Sequence, residues 1–258
     1  MLDALPVVGL LGMPAWGARA MQLLQAGGFA PVVYARTVRW LEALLDHYPA
    51  LLLVDATQPA WTDWVTAIKT EQATRRIPVL VVAQGREVEG AARERGAAEL
   101  LLLADLDRAL VERVQALAWR MDSATRALLH CQCAQPLPPL GQLGVQRFNA
   151  GEYYAQHDAF EAQWMAESGP VRELYRAILQ VGVAYHHLTH GNHAGALRML
   201  QRSVQWFAQL PNVCQGVDVR QLREDAQRVR HALQAMPPEE IASFDRSLLR
   251  PIRLVTVL

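Results

Sequence analysis

The stretch LLLVDA, residues 51–56, is a continuous apolar run that ends in a carboxylate and a small residue. An apolar run this short and without alternation is typical of a strand that helices cover on both faces. Four comparable runs occupy residues 6–12, 30–35, 77–83 and 99–103. Segments with helical periodicity separate them, and the last helix is predicted over residues 107–129. This alternation predicts an α/β domain, residues 1–130, with a five-stranded parallel, doubly wound sheet.

Three phrases within this region, LLLVDA, RRIPVLVVA and ERGAAELL, resemble the receiver domain of bacterial response regulators. With the order and lengths of the segments, the resemblance covers about residues 5–125. It implies a functional crevice at the carboxyl ends of the strands, where Asp55 matches the family's phosphoacceptor. Phosphoryl transfer to such a carboxylate requires a bound magnesium ion that neutralises the developing charge.

The residues that support phosphorylation in receivers are absent at the matching positions. The acidic pair expected after the first strand is replaced by Gly-Met-Pro, residues 12–14, which offers no side-chain oxygen to a hard cation. Ala83 stands where a hydroxyl residue is expected, and the expected lysine falls at Leu103 or Ala104. We therefore predict a phosphorylation-incompetent pseudo-receiver with Asp55 as a vestigial phosphoacceptor. The alternative is retained phosphorylation at Asp55.

Composition and charge favour a globular protein without a bulk affinity for polyanions. Hydrophobic residues make up 52% of the 258 residues and charged residues 19%, which is enough apolar material for substantial cores. The 25 basic residues balance 25 acidic ones, so no net field attracts the chain to phosphate backbones or anionic lipid. No apolar segment approaches the roughly 20 residues that cross a bilayer, and no secretion signal is recognised. We expect no nucleic-acid and no membrane partner.

The cysteine count indicates a reducing compartment. Cys131 and Cys133 are separated by one residue, a poor spacing for a disulfide framework, and Cys214 leaves an odd number. A Cys-x-Cys pair supplies only two of the roughly four ligands that a structural zinc ion takes. The predicted location is therefore the cytoplasm.

A proline- and glycine-rich segment, CQCAQPLPPLGQLG, predicts a linker over residues 131–145. Over residues 146–258 the periodicity is helical, which predicts an all-α, antiparallel helical bundle with short loops. Helices are predicted over residues 151–167, 171–190, 193–210 and 218–236. Asn192 is positioned as an N-cap for the third of them. The apolar tail, residues 247–258, is predicted to pack across the first domain or to add an edge strand.

A stripe of polar and aromatic residues marks the first of these helices, in the segment FNAGEYYAQHDAFEAQW of residues 148–164. Spacings of three and four residues return to the same face of a helix. The members of the stripe are Tyr154, His157, Glu161 and Trp164. An imidazole and a carboxylate are therefore expected between two aromatic rings.

This segment, with ILQVGVAYHH at residues 178–187 and GNHAGA at residues 191–196, resembles the family catalogued as domain of unknown function 309. The resemblance covers about residues 146–212. The family's usual His-Glu-x-x-Glu-x-x-Trp pattern falls on His157, Asp158, Glu161 and Trp164, with aspartate in place of the first glutamate. The family's glutamine matches Gln180, and its histidine matches His187. The resemblance implies a small helical bundle and a residue set, and it brings no established activity.

The same residues predict a polar cluster between two helices. Gln180, Ala184 and His187 share one face of their helix, and the small alanine lets a neighbouring helix approach. That neighbour carries His157 and Glu161. One interpretation is a structural hydrogen-bond network that fixes helix register. A second is a metal or small-ligand site, in which His157, Glu161 and His187 hold a divalent ion such as zinc. A third is a catalytic acid/base pair of His157 and Glu161 acting on a small substrate.

Two functions of different class follow from these patterns. The preferred prediction is a non-enzymatic signalling or scaffold protein, in which the pseudo-receiver presents an interaction surface to a protein partner or a second copy. Its helical domain then senses a small ligand or binds a partner. The alternative prediction is a metal-dependent enzyme or metal-binding protein that uses the cluster of His157, Glu161 and His187. That cluster lacks the HExxH pattern of zinc peptidases.

Overall fold

A computed structural model describes residues 5–35, 37 and 39–255 of the chain. The chain divides into two compact units, Met1–Arg120 and Met121–Leu258. The first unit is an α/β domain, and the second is mainly helical. The described helices include none that is long and apolar enough to cross a membrane.

The first unit contains a five-stranded sheet in which every strand runs parallel to its neighbours. The strands are β1 Val7–Leu11, β2 Ala30–Tyr34, β3 Leu51–Asp55, β4 Val79–Ala83 and β5 Glu99–Leu102. Their order is β2-β1-β3-β4-β5, the order of an open doubly wound sheet whose functional crevice lies at the carboxyl ends of the strands. The α/β fold predicted for this part of the chain is confirmed.

Helices connect the strands of this sheet. The α-helices described in the first unit are α1 Gly17–Ala26, α2 Trp40–His47, α3 Trp61–Thr70, α4 Glu89–Glu94 and α5 Leu106–Leu117. Strands β3 and β4 are buried along their whole length, as their unbroken apolar sequences predict. Gly9 of β1 permits close packing, because a Cβ there would lie 2.5 Å from Leu52 Cδ2 and 2.6 Å from the Tyr34 ring.

The prediction of a single long helix over residues 107–129 is wrong. The helix α5 ends before that span does, and a separate helix, α6 Ser123–Cys133, follows it. Between the two, the Trp119 N–H donates to the Ala50 carbonyl at 2.8 Å, which draws the chain out of the helical path. Asp122 then caps α6, because its side chain accepts a backbone N–H three residues further on.

The second unit is built mainly from helices. Its described α-helices are α6, α7 Pro139–Asn149, α8 Tyr153–Ala166, α9 Arg172–Thr189, α10 His193–Phe207 and α11 Val219–Ala235. The helices α7 to α10 pack as successive neighbours, and α11 packs against α10. Within the core, Phe148, Tyr153 and Tyr185 form a ring cluster with centroid distances of 5.4 to 5.5 Å, in the range that aromatic pairs favour.

Residues 131–145, for which the sequence predicts a linker, lie within the second unit. They comprise the end of α6 and the first half of α7, and the two compact units meet in the chain at Arg120 and Met121. Pro139 occupies the first position of α7, where its missing N–H removes no intrahelical hydrogen bond. One of the three prolines that predict a linker therefore begins a helix.

A short antiparallel hairpin, β6 Val213–Cys214 and β7 Val217–Asp218, interrupts the helices. Sequence periodicity does not reveal it, because strands of two residues are too short to show alternation. Part of the apolar tail adds to this hairpin through a bridge between Val217 and Leu254, within the helical unit itself. Residues 256–258 of the predicted tail lie outside the described residues.

Candidate functional site

Asp55 ends β3 at the crevice side of the sheet, and its carboxylate is engaged by its own loop. Thr57 donates its N–H to Oδ1 at 3.0 Å and its hydroxyl to Oδ2 at 2.9 Å. Asp55 is only 3% exposed. Each carboxylate oxygen therefore has a donor two residues away, and the atom that would accept a phosphoryl group is covered.

The positions around Asp55 at which receivers hold magnesium and phosphate carry apolar side chains here. Gly12 has a left-handed φ of 75° and donates its N–H to the Tyr34 carbonyl at 2.9 Å. Met13 follows it with an exposed thioether side chain. Ala83 ends β4 as a buried methyl group, and Leu103–Asp105 forms a 3-10 helix directly after β5. The side chains of residues 12–14 and of Ala83 contain no oxygen atom.

Two tryptophans lie at the starts of the helices that follow β1 and β3. Trp16, just before α1, and Trp61, the first residue of α3, are both buried. Trp16 packs in the same core as Leu10 and Leu53 of the sheet. Since α1 and α3 follow β1 and β3 in the chain, both indoles lie at the carboxyl ends of the strands, where open sheets bind ligands. Apolar rings thus occupy part of that edge.

In the helical unit, α8 and α9 lie beside each other and run in opposite directions. The Tyr154 ring, near the start of α8, lies 5.6 Å from the His186 ring near the end of α9. The Trp164 ring, near the end of α8, has the Arg172 guanidinium 4.8 Å from its centroid, at the start of α9. These two contacts show which residues of α8 and α9 lie at the same level, meaning the same height along the helix axes.

His157, Glu161 and His187 do not come together as the metal site that the sequence predicts. Glu161 precedes Trp164 by three residues and lies at the level of the first half of α9, whereas His187 lies near the end of that helix. Two helical turns, or about 11 Å, therefore separate their levels. Among the residues that the structure describes, no group of three His, Cys, Asp or Glu side chains could hold a metal ion. The geometry gives the zinc hypothesis no support.

The members of the predicted cluster on α8 contact near neighbours or solvent instead of one another. His157 Nδ1 lies 3.3 Å from Asp158 Oδ1, and both side chains reach solvent. Tyr154 is exposed, with a ring of α9 as its neighbour. Glu161 is half-buried, and no ion pair or hydrogen bond joins its carboxylate to another residue in the described part of the chain. The predicted stripe is therefore a partly exposed edge of α8.

The turn between α9 and α10 determines the tautomer of His187. Asn192 caps α10, as predicted, because its Oδ1 accepts the Gly195 N–H at 2.9 Å. The other amide atom, Nδ2, is therefore a donor, and it lies 3.1 Å from His187 Nδ1. Since His187 Nδ1 accepts this hydrogen bond, the neutral ring carries its proton on Nε2. His187 consequently presents an N–H donor at Nε2.

Two glutamine amides are buried on α8 and α9. Gln180, a predicted site residue, is 7% exposed, and its Oε1 has no hydrogen-bond partner among the described residues. Gln156, which the sequence does not predict for the site, is fully buried and donates from Nε2 to the Tyr153 carbonyl at 3.0 Å. Its amide fits against Gly182 of α9, because a Cβ on that glycine would overlap it. A glycine inside a helix is the one sequence signal of this close approach.

Arg176 of α9 links three helices through aromatic rings. Its guanidinium lies 3.6 Å from the centroid of Trp206 on α10 and 5.1 Å from that of Trp164 on α8. Cation–π contacts of this kind contribute about 0.5–2 kcal/mol each. Trp164, predicted as part of the stripe, therefore packs against arginines of the neighbouring helix.

Cys133 and Cys214 form a disulfide that the cysteine pattern does not predict. The bond joins residues that are 81 positions apart, so the close spacing of Cys131 and Cys133 has no bearing on it. Cys131 is a free, exposed thiol. The argument from cysteine count to a reducing compartment therefore loses its basis.

The first unit also carries a charged cleft of about 240 Å³, lined by residues of α4, β5 and α5, that the sequence does not predict. Its ion pairs are Arg86–Glu89 at 3.3 Å, Arg93–Glu89 at 3.8 Å, Arg108–Asp105 at 2.7 Å and Arg113–Glu99 at 2.8 Å. Glu89 pairs with both Arg86 and Arg93, so the four arginines of these pairs face three carboxylates.

Comparison with known proteins gives one family match, which lies in the helical unit. Residues 142–199 match the family described as Domain of unknown function (DUF309). No curated protein sequence matches the chain.

Several solved structures are similar to the first part of the chain. An orphan response regulator of H. pylori is 26% identical, and the match covers 43% of this chain and 94% of that one with a TM-score of 0.36. A response regulator from Thermotoga maritima is 19% identical over 44% of this chain and 97% of its own, with a TM-score of 0.38. A CheY-like receiver domain protein from Methanospirillum hungatei is 17% identical over 44% of this chain and 93% of its own, with a TM-score of 0.38. The chain thus joins a part similar to response-regulator receivers to a part that matches DUF309.

Proposed function

We propose that this chain is a non-enzymatic signalling protein whose receiver-like unit works without phosphorylation and whose helical unit binds a small ligand or a protein partner. The observation that carries the proposal is the state of Asp55. Its carboxylate accepts both the N–H and the hydroxyl of Thr57, and it is almost fully buried. A carboxylate that acts as a nucleophile needs an accessible oxygen instead.

The charges around Asp55 support the same conclusion. A phosphoryl group brings about 1.5 to 2 negative charges, which a divalent cation and basic groups must offset. The matching positions of this chain hold Met13, Ala83 and either Leu103 or Ala104, whose side chains carry no charge. A phosphoryl donor beside Asp55 would therefore meet one anion and no cation at these positions.

Three polar groups support a binding role for the helical unit. Gln180 Oε1 is buried without a donor in the described chain, and Glu161 lacks an ion pair there. His187 presents Nε2–H, because its other ring nitrogen is occupied. A buried polar atom without a partner is costly, and a donor group on a small ligand or a protein partner would satisfy Gln180 Oε1.

Calorimetric titration of the full chain with magnesium chloride tests the first half of the proposal. We expect no saturable heat at millimolar magnesium, because Met13 and Ala83 offer the ion no side-chain oxygen and the oxygens of Asp55 are already engaged by Thr57. A one-to-one site that disappears in an Asp55→Asn variant would overturn the proposal. An Asp105→Asn variant, altered in a carboxylate that is already paired with Arg108, is the matched control.

A further inference from the structure

The hairpin of β6 and β7 is fastened to the first helix of the helical unit. Cys214 of β6 is bonded to Cys133, the last residue of α6. Beside that bond, the Gln215 N–H donates to the Cys133 carbonyl at 2.7 Å. A covalent bond and a backbone hydrogen bond therefore join the hairpin to α6.

The Gln215 side chain extends this contact towards the core. Its Oε1 accepts the Tyr175 hydroxyl at 2.8 Å, and its Nε2 donates to the Gln132 carbonyl at 3.4 Å. The Gln132 side chain in turn accepts the Val171 N–H at 3.1 Å. The residues that flank the disulfide thus hold the end of α6 against the start of α9.

The opposite edge of the hairpin holds the end of the described chain. The Val255 N–H donates to the Gly216 carbonyl at 2.7 Å, and a bridge joins Val217 to Leu254. The tail has a second anchor on α7, because the Asn149 side chain exchanges two hydrogen bonds of 2.7 and 3.0 Å with the Ile252 backbone. Loss of the hairpin contact alone would leave the tail attached.

Apart from its end, α6 has little contact with the core. All eleven of its residues are described, and two of them, Leu129 and Cys133, are buried. An isolated helix of this length is marginal in water, and elements with few buried apolar side chains open first. The helix α9, by contrast, buries ten residues. The attachment of α6 therefore depends on the disulfide and the hydrogen bonds beside it.

We propose that the Cys133–Cys214 disulfide is a redox-sensitive clasp, which a dithiol reductant opens to release α6 from the hairpin. One thiolate of the reductant attacks a sulfur of the bond, forms a mixed disulfide and expels the other cysteine as a thiolate. The second thiol of the reductant, as its thiolate, then displaces the remaining cysteine. Two electrons and two protons pass to the protein, which gains two thiols, and the reductant leaves as a disulfide.

The clasp lies at the end of α6, so its opening changes the segment of chain that precedes the helical core. Cys133 and Cys214 are both buried, so attack on the bond requires the end of α6 to fray. The helix α6 is also the first one after the boundary at Arg120, so its release adds its residues to the segment that precedes the helical core. The redox state of the bond then sets the length of the connection between the two units.

Hydrogen–deuterium exchange of the full chain, with and without dithiothreitol, tests the clasp. We expect reduction to accelerate exchange of the α6 and hairpin amides by a factor at least about tenfold greater than that of the α9 amides, because α6 opens locally while α9 stays folded. A Cys131→Ser variant should respond as the wild type does, because Cys131 lies outside the bond. Alkylation followed by mass measurement verifies that reduction is complete.

A double variant, Cys133→Ser with Cys214→Ser, supplies the matched control. It should show fast exchange in α6 without reductant, and dithiothreitol should change nothing. Unaltered exchange of α6 in fully reduced wild type would overturn the proposal, because the bond would then hold nothing. Loss of protection in α9 by the same factor as in α6 would overturn it too, because α6 would then open only together with the rest of the helical unit. Neither result depends on the chemistry of Asp55.

Discussion

Thr57 closes over Asp55, since its N–H donates to one carboxylate oxygen at 3.0 Å and its hydroxyl donates to the other at 2.9 Å. The aspartate that matches a phosphoacceptor is therefore a hydrogen-bond acceptor that organises the loop after β3. The proposal that the receiver-like unit works without phosphorylation rests on this relationship and on the apolar side chains of Met13 and Ala83.

Removal of the Thr57 hydroxyl should weaken the first unit. We expect Thr57→Val to lower the free energy of unfolding by about 1–3 kcal/mol, because a buried carboxylate oxygen loses its donor. Urea denaturation measures the change. Thr70→Val is the control, since the Thr70 hydroxyl is exposed and donates to carbonyls of its own helix. Equal effects of the two substitutions would contradict a structural role for the Thr57 contact.

The close approach of α8 and α9 should make Gly182 intolerant of a methyl group. Gly182→Ala should destabilise the helical unit by about 1–3 kcal/mol, because the added Cβ would displace the buried Gln156 amide and break its hydrogen bond to the Tyr153 carbonyl. Gly90→Ala in α4 is the matched control, since nothing lies within 4 Å of its added Cβ. That variant should be neutral or gain up to about 1 kcal/mol. Comparable melting curves for both variants would contradict the packing described.

A substitution at Gln180 distinguishes two interpretations of the polar residues on α8 and α9, a binding site and a structural hydrogen-bond network. We expect Gln180→Met to raise the free energy of unfolding by up to about 1 kcal/mol, because it replaces a buried oxygen that has no donor with an apolar group. Gln205→Met is the control, since Gln205 is also buried but donates to the Arg202 carbonyl at 3.0 Å. It should lose about 1 kcal/mol. A similar loss in Gln180→Met would favour the network.

The stacked histidines at the end of α9 should make the helical unit sensitive to acid. Burial first, and then the charges of His190 and His187, lower the pKa of His186 from its usual 6.5. The folded state therefore binds this proton less readily than the unfolded state. The free energy of unfolding is consequently highest above pH 6.5, and it decreases as the pH falls from 6.5 through the lowered pKa. NMR titration should place the His186 midpoint below 6.5, and His190→Gln should raise it. A midpoint insensitive to His190, whose ring centroid lies 4.1 Å away, would contradict the coupling.

The disulfide should contribute to stability through the long loop that it closes. For a separation of 81 residues the chain-entropy relation gives about 4.5 kcal/mol, and measured values are commonly about 2–4 kcal/mol. The double variant Cys133→Ser with Cys214→Ser should lower the free energy of unfolding by an amount in that range. Cys131→Ser should change it by less than about 0.5 kcal/mol, because Cys131 is exposed. A double variant as stable as Cys131→Ser would contradict this account.

The sequence predicts the sheet and several helices because the signals for them are local. The apolar run 51–56 identifies β3, and Asn192 marks the start of α10 through a hydrogen bond to an amide three residues away. The features that it misses depend on residues far apart in the chain. The break before α6 requires Trp119 to meet Ala50, and the disulfide requires Cys133 to meet Cys214.

The candidate site shows the same division between local and distant information. Spacing along a helix predicts which face carries His157 and Glu161, but it contains no information on the level at which the next helix passes. The level follows from the contact of Trp164 with Arg172, and it separates Glu161 from His187. The metal hypothesis used the face alone, and for that reason it combined residues that lie at different levels.

The central claim, that the receiver-like unit works without phosphorylation, is tested most directly by intact-mass measurement after incubation with acetyl phosphate and magnesium. The account predicts that the mass of the wild-type chain stays unchanged, because the Asp55 carboxylate is buried and engaged by Thr57. A phosphoryl adduct that forms on the wild type and is absent from an Asp55→Asn variant would contradict it.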